Sequence, residues 1–235
     1  YEGSNKDQLS NISFNIQKGE TLAILGSTGS GKSTLVNLIP RFYDVTEGSI
    51  KIGGKDIREI DRKSLQDSVG IVMQNTVLFS GSIADNMRMG KEDATEEEMI
   101  DALKKADIAD FVLSLPDGLN HKIEQDATNI SGGQRQRISI ARTLISEPDI
   151  LILDDSLSAV DLITESKIRK ALNKLKMTKI IIAQRISSIK DANKILMIED
   201  GKMLCYGSHD ELYKTSAEYK EVYDSQVQSA EEGKL

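Results

Sequence analysis

Residues 22–39 read LAILGSTGSGKSTLVNLI: a short apolar run, a turn rich in glycine and serine, and a second apolar stretch. This order predicts a strand, a loop and a helix, which is how a βαβ unit begins. Two further runs, at residues 150–153 and 180–183, are apolar without alternation. Continuous apolar runs are typical of strands buried on both faces, so we expect an α/β fold with a parallel sheet covered by helices.

The turn inside that stretch matches the pattern G-x-x-x-x-G-K-S, from Gly26 to Ser33. Glycines let the backbone curl so that its N–H groups point at phosphate oxygens, and the helix that follows adds its positive N-terminal end. Lys32 can reach the β- and γ-phosphates, and the Ser33 hydroxyl can bind Mg²⁺. A flexible Gly/Ser turn is the alternative interpretation, and the position of the pattern between a strand and a helix disfavours it.

Two aspartates, Asp154 and Asp155, directly follow the apolar run at residues 150–153. In phosphate-loop enzymes a carboxylate at the end of such a strand holds the Mg²⁺ shell. The alternative is an aspartate that only caps the next helix. The phosphate loop in the same chain disfavours that interpretation for Asp154.

The composition narrows the range of functions. The chain has 235 residues, enough for one large domain or for a domain with a subdomain. Its formal net charge of −7 argues against nucleic acid as a partner, which usually requires a basic face. No apolar run approaches the roughly 20 residues of a membrane span, and the one cysteine, Cys205, cannot form an internal disulfide. The chain starts at Tyr1 without Met or a signal-like segment, so we expect a piece of a longer protein, truncated at its N-terminus.

The middle of the chain has a different pattern from the strands. Apolar residues recur at helical spacing from residue 95 to about residue 115, and a second helix is expected at residues 132–146. We therefore interpret residues 75–148 as a mainly helical insert in the α/β core. The sequence also predicts hairpins at residues 50–54 and at Asp200-Gly201, a capping box at Ser208 and Glu211, and a frayed polar tail at residues 226–235.

Residues 130–134 read ISGGQ, which resembles the LSGGQ signature of ABC ATPases with Ile in place of Leu. Other motifs follow the order typical of that family: an aromatic A-loop residue (Tyr1), the phosphate loop, a Q-loop glutamine (Gln74), the strand with Asp154, and a D-loop at residues 158–161. The resemblance covers essentially the whole chain. It implies a single domain with a phosphate-loop core and parallel sheet, an N-terminal antiparallel β part and a helical subdomain.

The resemblance also implies ligands for ATP and Mg²⁺. The nucleotide would be held by Tyr1, Gly26, Ser27, Thr28, Gly29, Ser30, Gly31, Lys32, Ser33 and Thr34, and Mg²⁺ by Ser33, Gln74 and Asp154. In this family two domains bind two ATP molecules head to tail, so each site needs residues of both chains. The residues implied to act on the partner's ATP are Ser131, Gly132, Gly133 and Gln134, and Asp161 of the D-loop lies at the dimer contact.

Residues 74–86 read QNTVLFSGSIADN and resemble the QxxxLFxxTIxxN segment of ABC exporters. In that family the segment contacts the coupling helices of the transmembrane domains. Leu78 and Phe79 are therefore either part of that contact or ordinary core residues. The resemblance favours half of an exporter, whose ATP-binding domain lies on the cytoplasmic face of the cell membrane.

The chain departs from the family pattern at the two residues most closely tied to hydrolysis. Asp155 stands where competent sites have Glu, and Gln184 stands where they have the His of the H-loop. Asp155 is shorter by one methylene, and Gln184 cannot carry a proton as imidazole does. The pattern resembles the degenerate-site half of a heterodimeric bacterial multidrug exporter, whose partner chain would supply the consensus Glu and His. A further departure is EQDA at residues 124–127, where many exporters have a GERG-like sequence.

Two other interpretations of these departures remain open. One is a nucleotide-gated subunit that dimerises on ATP and never hydrolyses it. The other is a homodimeric ATPase that works slowly with Asp155 and Gln184. The near-consensus signature disfavours a purely regulatory chain, because it keeps the groups that a partner's site requires.

Overall fold

The computed structural model describes residues 8–74, 76–155, 161–184, 186 and 189–232. The chain forms two compact units, one made of Tyr1–Gln66 with Thr178–Leu235 and the other of Asp67–Met177. The second unit extends beyond both ends of the helical insert expected at residues 75–148, and it contains strands as well as helices. Two regions predicted to belong to the site, Tyr1 and residues 158–160, lie outside the described residues.

Strands and helices are interleaved along the chain. The strands are β1 (Thr21–Leu25), β2 (Lys51–Ile52), β3 (Lys55–Asp56), β4 (Val69–Val72), β5 (Gly81–Ser82), β6 (Lys122–Ile123), β7 (Ile150–Asp154), β8 (Thr178–Ile182), β9 (Lys194–Glu199) and β10 (Lys202–Gly207). The helices are α1 (Lys32–Leu38), α2 (Arg62–Ser68), α3 (Ile83–Arg88), α4 (Glu96–Lys105), α5 (Ala109–Ser114), α6 (Gly132–Leu144), α7 (Leu162–Asn173), α8 (His209–Thr215) and α9 (Ala217–Glu232). Within the described ranges, no helix is both long enough and apolar enough to cross a membrane.

The first unit is built on four strands in the order β10-β9-β1-β8. β1 lies between β8 and β9 and is parallel to both, with Ala23 opposite Ile181 on one side and Ile195 on the other. Four of the five residues of β1 and all five residues of β8 are buried. The parallel sheet predicted from the continuous apolar runs is therefore confirmed.

Both predicted hairpins are present in the first unit. β9 and β10 are antiparallel, and Asp200 (φ 48°) and Gly201 (φ 73°) adopt the left-handed conformation that a two-residue turn requires. The amide of Gly201 donates to the oxygen of Ser30 at 3.0 Å, which joins this turn to the loop after β1. The shorter hairpin pairs Lys51 of β2 with Asp56 of β3.

The second unit pairs β4 with β7 in parallel, and α6 packs against both β4 and α4. The helical pattern predicted from residue 95 to about residue 115 is interrupted here. α4 ends at Lys105, Asp107 has a φ of 55°, and α5 begins at Ala109. The sequence did not reveal this break because buried apolar residues continue across it, among them Ala106 and Ile108.

The last two helices of the first unit are joined by an aromatic cluster. Tyr219 of α9 is fully buried, and its hydroxyl lies 2.8 Å from Nδ1 of His209 at the start of α8. The rings of Tyr213 and Tyr223 are centred 6.0 and 5.0 Å from that imidazole. This cluster anchors α9, which continues to Glu232. The frayed tail expected from residue 226 is thus helical as far as the structure describes it.

Burial raises the pKa of the Tyr219 hydroxyl to about 12, above its ordinary value of 10.0. A group whose pKa is raised on folding stabilises the fold below its unfolded pKa, and that contribution is lost as pH rises toward the folded pKa. We therefore expect the free energy of unfolding to fall between about pH 10 and pH 12, and to fall less steeply in Tyr219→Phe. Urea unfolding at several pH values measures this slope. Tyr43→Phe, at an exposed tyrosine, is the control and should keep the wild-type slope.

Candidate functional site

The phosphate loop lies between β1 and α1 and wraps around its own lysine. Lys32 is 9% exposed, and its ammonium donates to the main-chain oxygens of Gly26 at 2.9 Å and Ser27 at 2.6 Å. Gly31, with a φ of 102°, turns the chain into α1, whose N-terminus has no side-chain cap. An enclosed positive charge beside an uncapped helix N-terminus is an arrangement that accepts an anion. The loop therefore fits the phosphate groups that the sequence predicted for it.

Strand β9 supports this loop from one side. A Cβ atom on Gly26 would lie 2.2 Å from the main-chain oxygen of Ile198, so a larger residue would collide with the strand. The Ser27 hydroxyl donates to Oε1 of Glu199 at 2.6 Å. Glu199 was missed by sequence reasoning, because no local pattern links two residues that are 172 positions apart.

Gln184, the residue at the H-loop position, follows β8 in the first unit and is exposed. Its main-chain oxygen accepts a hydrogen bond from Nε2 of Gln226 at 2.9 Å. The amide of Ile186 donates to Oε1 of Gln226 at 2.7 Å. Helix α9 therefore reaches the H-loop position through a residue that the sequence analysis placed in a frayed tail.

In the second unit, β7 ends in the two predicted carboxylates. Asp154 is the last residue of β7 and is 7% exposed, and Asp155 follows with a φ of 46°. Nε2 of Gln74 donates to Oδ2 of Asp155 at 3.2 Å. The structure thus brings together two residues that the sequence assigned separately to the Q-loop and to the catalytic position. Carboxylate and amide oxygens are hard ligands that suit Mg²⁺.

The signature motif begins α6 with a capping box. The Ser131 hydroxyl accepts from the amide of Gln134 at 3.2 Å, and Oε1 of Gln134 accepts from the amide of Ser131 at 2.8 Å. Gly132 and Gly133 occupy the first two helical positions, where they place no side chain in front of the helix N-terminus. This arrangement suits an anion. The side chain of Gln134, predicted as a nucleotide ligand, is engaged here in shaping the start of the helix.

Further along α6, two side chains join the signature helix to the segment that follows Gln74. Gln136 is 3% exposed, its Oε1 accepts from the Thr76 hydroxyl at 2.7 Å, and its Nε2 has no hydrogen-bond partner in the described part of the chain. Arg142 donates to the main-chain oxygen of Val77 at 3.1 Å, and burial lowers the pKa of its guanidinium. Neither contact could be identified from the sequence.

A buried asparagine fixes the rest of that segment. Asn86 has no exposed surface; its Oδ1 accepts from the amide of Phe79 at 2.9 Å, and its Nδ2 donates to the oxygens of Phe79 at 2.8 Å and Ser82 at 3.1 Å. Leu78 is 4% exposed and Phe79 is 52% exposed. Of the two residues left open by the sequence, Leu78 therefore belongs to the core and Phe79 to the surface.

Asp161, the predicted D-loop residue, caps the next helix. Asp161 is the N-cap of α7, and its Oδ1 accepts from the amides of Ile163 at 3.1 Å and Thr164 at 3.0 Å. These hydrogen bonds, with that from Thr164 the strongest, lower the pKa of its carboxyl group. The predicted D-loop residue is thus a helix cap in this chain, and residues 156–160 before it lie outside the described residues.

The contact between Thr76 and Gln136 predicts an unequal response to substitution. Thr76→Val leaves the buried Oε1 of Gln136 without its donor, so we expect a loss of about 1–3 kcal/mol in the free energy of unfolding. Thr76→Val combined with Gln136→Met removes the buried polar atoms together and should destabilise less than Thr76→Val alone. Urea unfolding measures both values, with Thr46→Val as an exposed control. A double variant less stable than the single variant would contradict this account.

The chain resembles known proteins along almost its whole length. A model of the ABC transporter family matches residues 9–158, more than half of the chain. "Putative multidrug export ATP-binding/permease protein YgaD" of Bacillus subtilis (strain 168) is 44% identical over 228 residues, and "Uncharacterized ABC transporter ATP-binding protein YfiB" of the same strain is 46% identical over 226 residues. Each match covers 96% of this chain and 39% of the relative, so the chain spans about two fifths of the length of these relatives.

A similar fold has been solved for an exporter. The structure described as "Structure of a bacterial Atm1-family ABC exporter with ATP bound" matches with a TM-score of 0.91 and 38% sequence identity. The match covers 96% of this chain and 40% of that chain. With the phosphate loop, the two carboxylates at the end of β7 and the capped signature helix in place, the chain belongs to the ABC transporter family and is an ATP-binding domain of that family.

Proposed function

We propose that this chain binds Mg·ATP and that it is the nucleotide-binding domain of a membrane exporter. The observation that carries the proposal is the ammonium of Lys32, which the phosphate loop encloses at the start of α1. Its acceptors include the main-chain oxygens of Gly26 and Ser27, and the negatively charged β- and γ-phosphates of ATP are stronger acceptors for the same donor. Bound Mg²⁺ would neutralise part of the charge on those phosphates.

The roles of the other site residues follow from their chemistry. Residues 26–34 hold the phosphates through main-chain amides, and Tyr1 stacks on the adenine. The ligands proposed for Mg²⁺ are Ser33, Gln74 and Asp154, all of which offer oxygen atoms. The place of Asp154 at the end of β7 supports this role, because phosphate-loop enzymes hold the Mg²⁺ shell with a carboxylate at the end of such a strand.

We further propose that the chain works head to tail with a second ATP-binding domain. Ser131, Gly132 and Gly133 would contact the γ-phosphate bound by the partner, because Ser131 and Gly132 are exposed and the two glycines add no side chain to the helix N-terminus. Gln134 has a revised role in this proposal. Its side chain accepts from the amide of Ser131 and so sets the position of the serine, while Asp161, the last residue of the D-loop, caps α7.

The chain's own site is proposed to hydrolyse poorly. Asp155 is one methylene shorter than the Glu of competent sites, and its carboxylate accepts a hydrogen bond from Gln74. A displacement of about 1 Å in a group that orients the attacking water can lower the rate roughly 100-fold. Gln184 can donate a hydrogen bond to a γ-phosphate but cannot transfer a proton. The partner chain would then supply the consensus Glu and His to the active site that this chain's signature completes.

The names of the relatives support an exporter. YgaD is described as a multidrug export ATP-binding/permease protein, and the solved relative is described as an ABC exporter. We propose that this chain couples ATP use to export and that it lies on the cytoplasmic face of the membrane. Its contact with the transmembrane domains would include Val77 and Phe79, which are 59% and 52% exposed on a segment that Asn86 holds in place.

The first prediction of this proposal concerns nucleotide binding. Lys32→Ala removes charge-assisted hydrogen bonds to the phosphates, so we expect the dissociation constant for Mg·ATP to rise by at least about tenfold. Isothermal titration of the chain with Mg·ATP measures this constant. Lys55→Ala, at an exposed lysine of the same unit, is the matched control and should bind as the wild type does. Unchanged affinity in Lys32→Ala would rule out the proposed phosphate site.

The second prediction assigns different roles to two motifs of the same chain. In the assembled transporter, Asp155→Asn should lower ATP hydrolysis by less than about threefold, because its site already hydrolyses poorly. Gly132→Asp should lower it by about 100-fold or more, because a carboxylate then faces the partner's γ-phosphate in a site shielded from water. ATPase assays of the purified transporter compare the two variants.

The control for the comparison of Asp155→Asn with Gly132→Asp lies in the second unit, as those two residues do. Gly118→Asp adds the same charge at an open position of positive φ and should hydrolyse ATP at close to the wild-type rate. If Asp155→Asn abolished activity as completely as Gly132→Asp, both sites would be catalytic and the slow homodimer would be the better interpretation. If the assembled wild type bound ATP without hydrolysing it, the chain would be a nucleotide-gated subunit.

A further inference from the structure

Gln226 of α9 makes two hydrogen bonds to the main chain that follows β8. Its Nε2 donates to the oxygen of Gln184 at 2.9 Å, and its Oε1 accepts from the amide of Ile186 at 2.7 Å. One side-chain amide thus binds a carbonyl and an N–H group that lie on either side of residue 185. This is the pattern by which a neighbouring strand would bind the same chain, because an amide group offers one acceptor and two donors.

These hydrogen bonds begin where those of the sheet end. β8 pairs with β1 as far as Ile182, and the amide of Ala183 then donates to the oxygen of Ile24 at 3.3 Å. Beyond that point the chain needs other partners, above all at the buried Ile186, because polar groups that are buried without hydrogen bonds are costly. Gln226 supplies two of them at the next residues along the chain.

The helix that carries Gln226 is well anchored. Tyr219 and Tyr223 precede it by seven and three residues, so all three side chains lie on one face of α9. Tyr219 is fully buried with its hydroxyl 2.8 Å from Nδ1 of His209, and Tyr223 packs against the same imidazole. The position of Gln226 is therefore fixed by the aromatic cluster, and that of the main chain at Gln184 is fixed in turn by Gln226.

We propose that Gln226 is a positioning residue that aims the side chain of Gln184 at the γ-phosphate of ATP. This inference rests on the proposed function, in which Gln184 donates a hydrogen bond to that phosphate. Because the side chain of Gln184 is exposed, its reach depends on where its main chain is held. ADP has no γ-phosphate, so Gln226 should strengthen the binding of ATP and leave the binding of ADP unchanged.

The test compares the dissociation constants of Mg·ATP and Mg·ADP by isothermal titration of the chain. Gln226→Leu keeps the size of the side chain and removes both hydrogen bonds. We expect it to weaken Mg·ATP by about three- to tenfold, which is the effect of mispositioning one hydrogen bond to a charged group, with Mg·ADP unchanged. Gln226→Glu keeps the acceptor for the amide of Ile186 and loses the donor to the oxygen of Gln184. We therefore expect this variant also to bind Mg·ATP with less preference over Mg·ADP than the wild type. Gln228→Leu, an exposed position on the same helix, is the matched control and should bind both nucleotides as the wild type does.

Amide hydrogen exchange gives a second measurement that does not depend on nucleotide. The amide of Ile186 should exchange faster in Gln226→Leu than in the wild type or in Gln228→Leu, because its acceptor is gone. An unchanged exchange rate at Ile186 would overturn the inference. A variant that weakened ATP and ADP equally would also overturn it, because that result indicates a general loss of structure.

Gln184→Ala separates this inference from the proposal on which it rests. If Gln184→Ala and Gln226→Leu each lose the preference for ATP, and the double variant loses no more than either, the two residues act together as proposed. If Gln184→Ala loses the preference and Gln226→Leu keeps it, Gln184 has its proposed role and Gln226 does not position it. If Gln184→Ala keeps the preference, the proposed role of Gln184 fails and the inference fails with it, while the result for Lys32→Ala still decides whether the loop binds ATP.

Discussion

The enclosed ammonium of Lys32 sets the constraint on which the rest of the first unit depends. A charged group can be buried only where polar atoms surround it, and here the loop turns its carbonyls inward to do so. That curl brings Gly26 against β9, so close that a side chain there would strike the oxygen of Ile198. β9 must therefore lie directly beside β1, and the parallel pairing of the two strands meets that requirement.

The fold was largely predictable because its signals are local. Continuous apolar runs indicated the parallel strands, glycine-containing dipeptides indicated the hairpins, and Ser208 with Glu211 indicated the cap of α8, all of which the structure contains. The break between α4 and α5 was missed because Asp107 turns the chain without interrupting its apolar pattern. The helical conformation of residues 226–232 was not predicted for a different reason. The polar composition of this segment indicated fraying, and the buried Tyr219 that anchors it lies outside the segment.

The residues of the candidate site also fall into those that the sequence predicted and those that it did not. The phosphate loop, the signature and the two carboxylates are contiguous motifs, and their residues could be named from the sequence. The residues that support them could not, because they lie far away along the chain: Glu199 for Ser27, and Gln136 for Thr76. Asp155 could be named from the sequence, but its backbone conformation could not. Its φ of 46° lies in the left-handed region, which Asp tolerates better than most residues. The departure from Glu therefore also suits the backbone at this position.

The contact between the β9–β10 turn and the phosphate loop has a consequence for how this domain forms. β1 is completed by residues 178–199, and the amide of Gly201 binds Ser30, so the loop acquires its supports from residues about 170 positions later. Contacts so distant in sequence form late, because a long chain must be closed before they contribute. During synthesis, a ribosome-bound chain that ends before residue 194 would expose the complete GSTGSGKS motif without its supporting strand, β9. Nucleotide affinity would then arise only when the C-terminal hairpin has joined the sheet, which makes ATP a ligand of the nearly finished domain and not of its nascent N-terminal half.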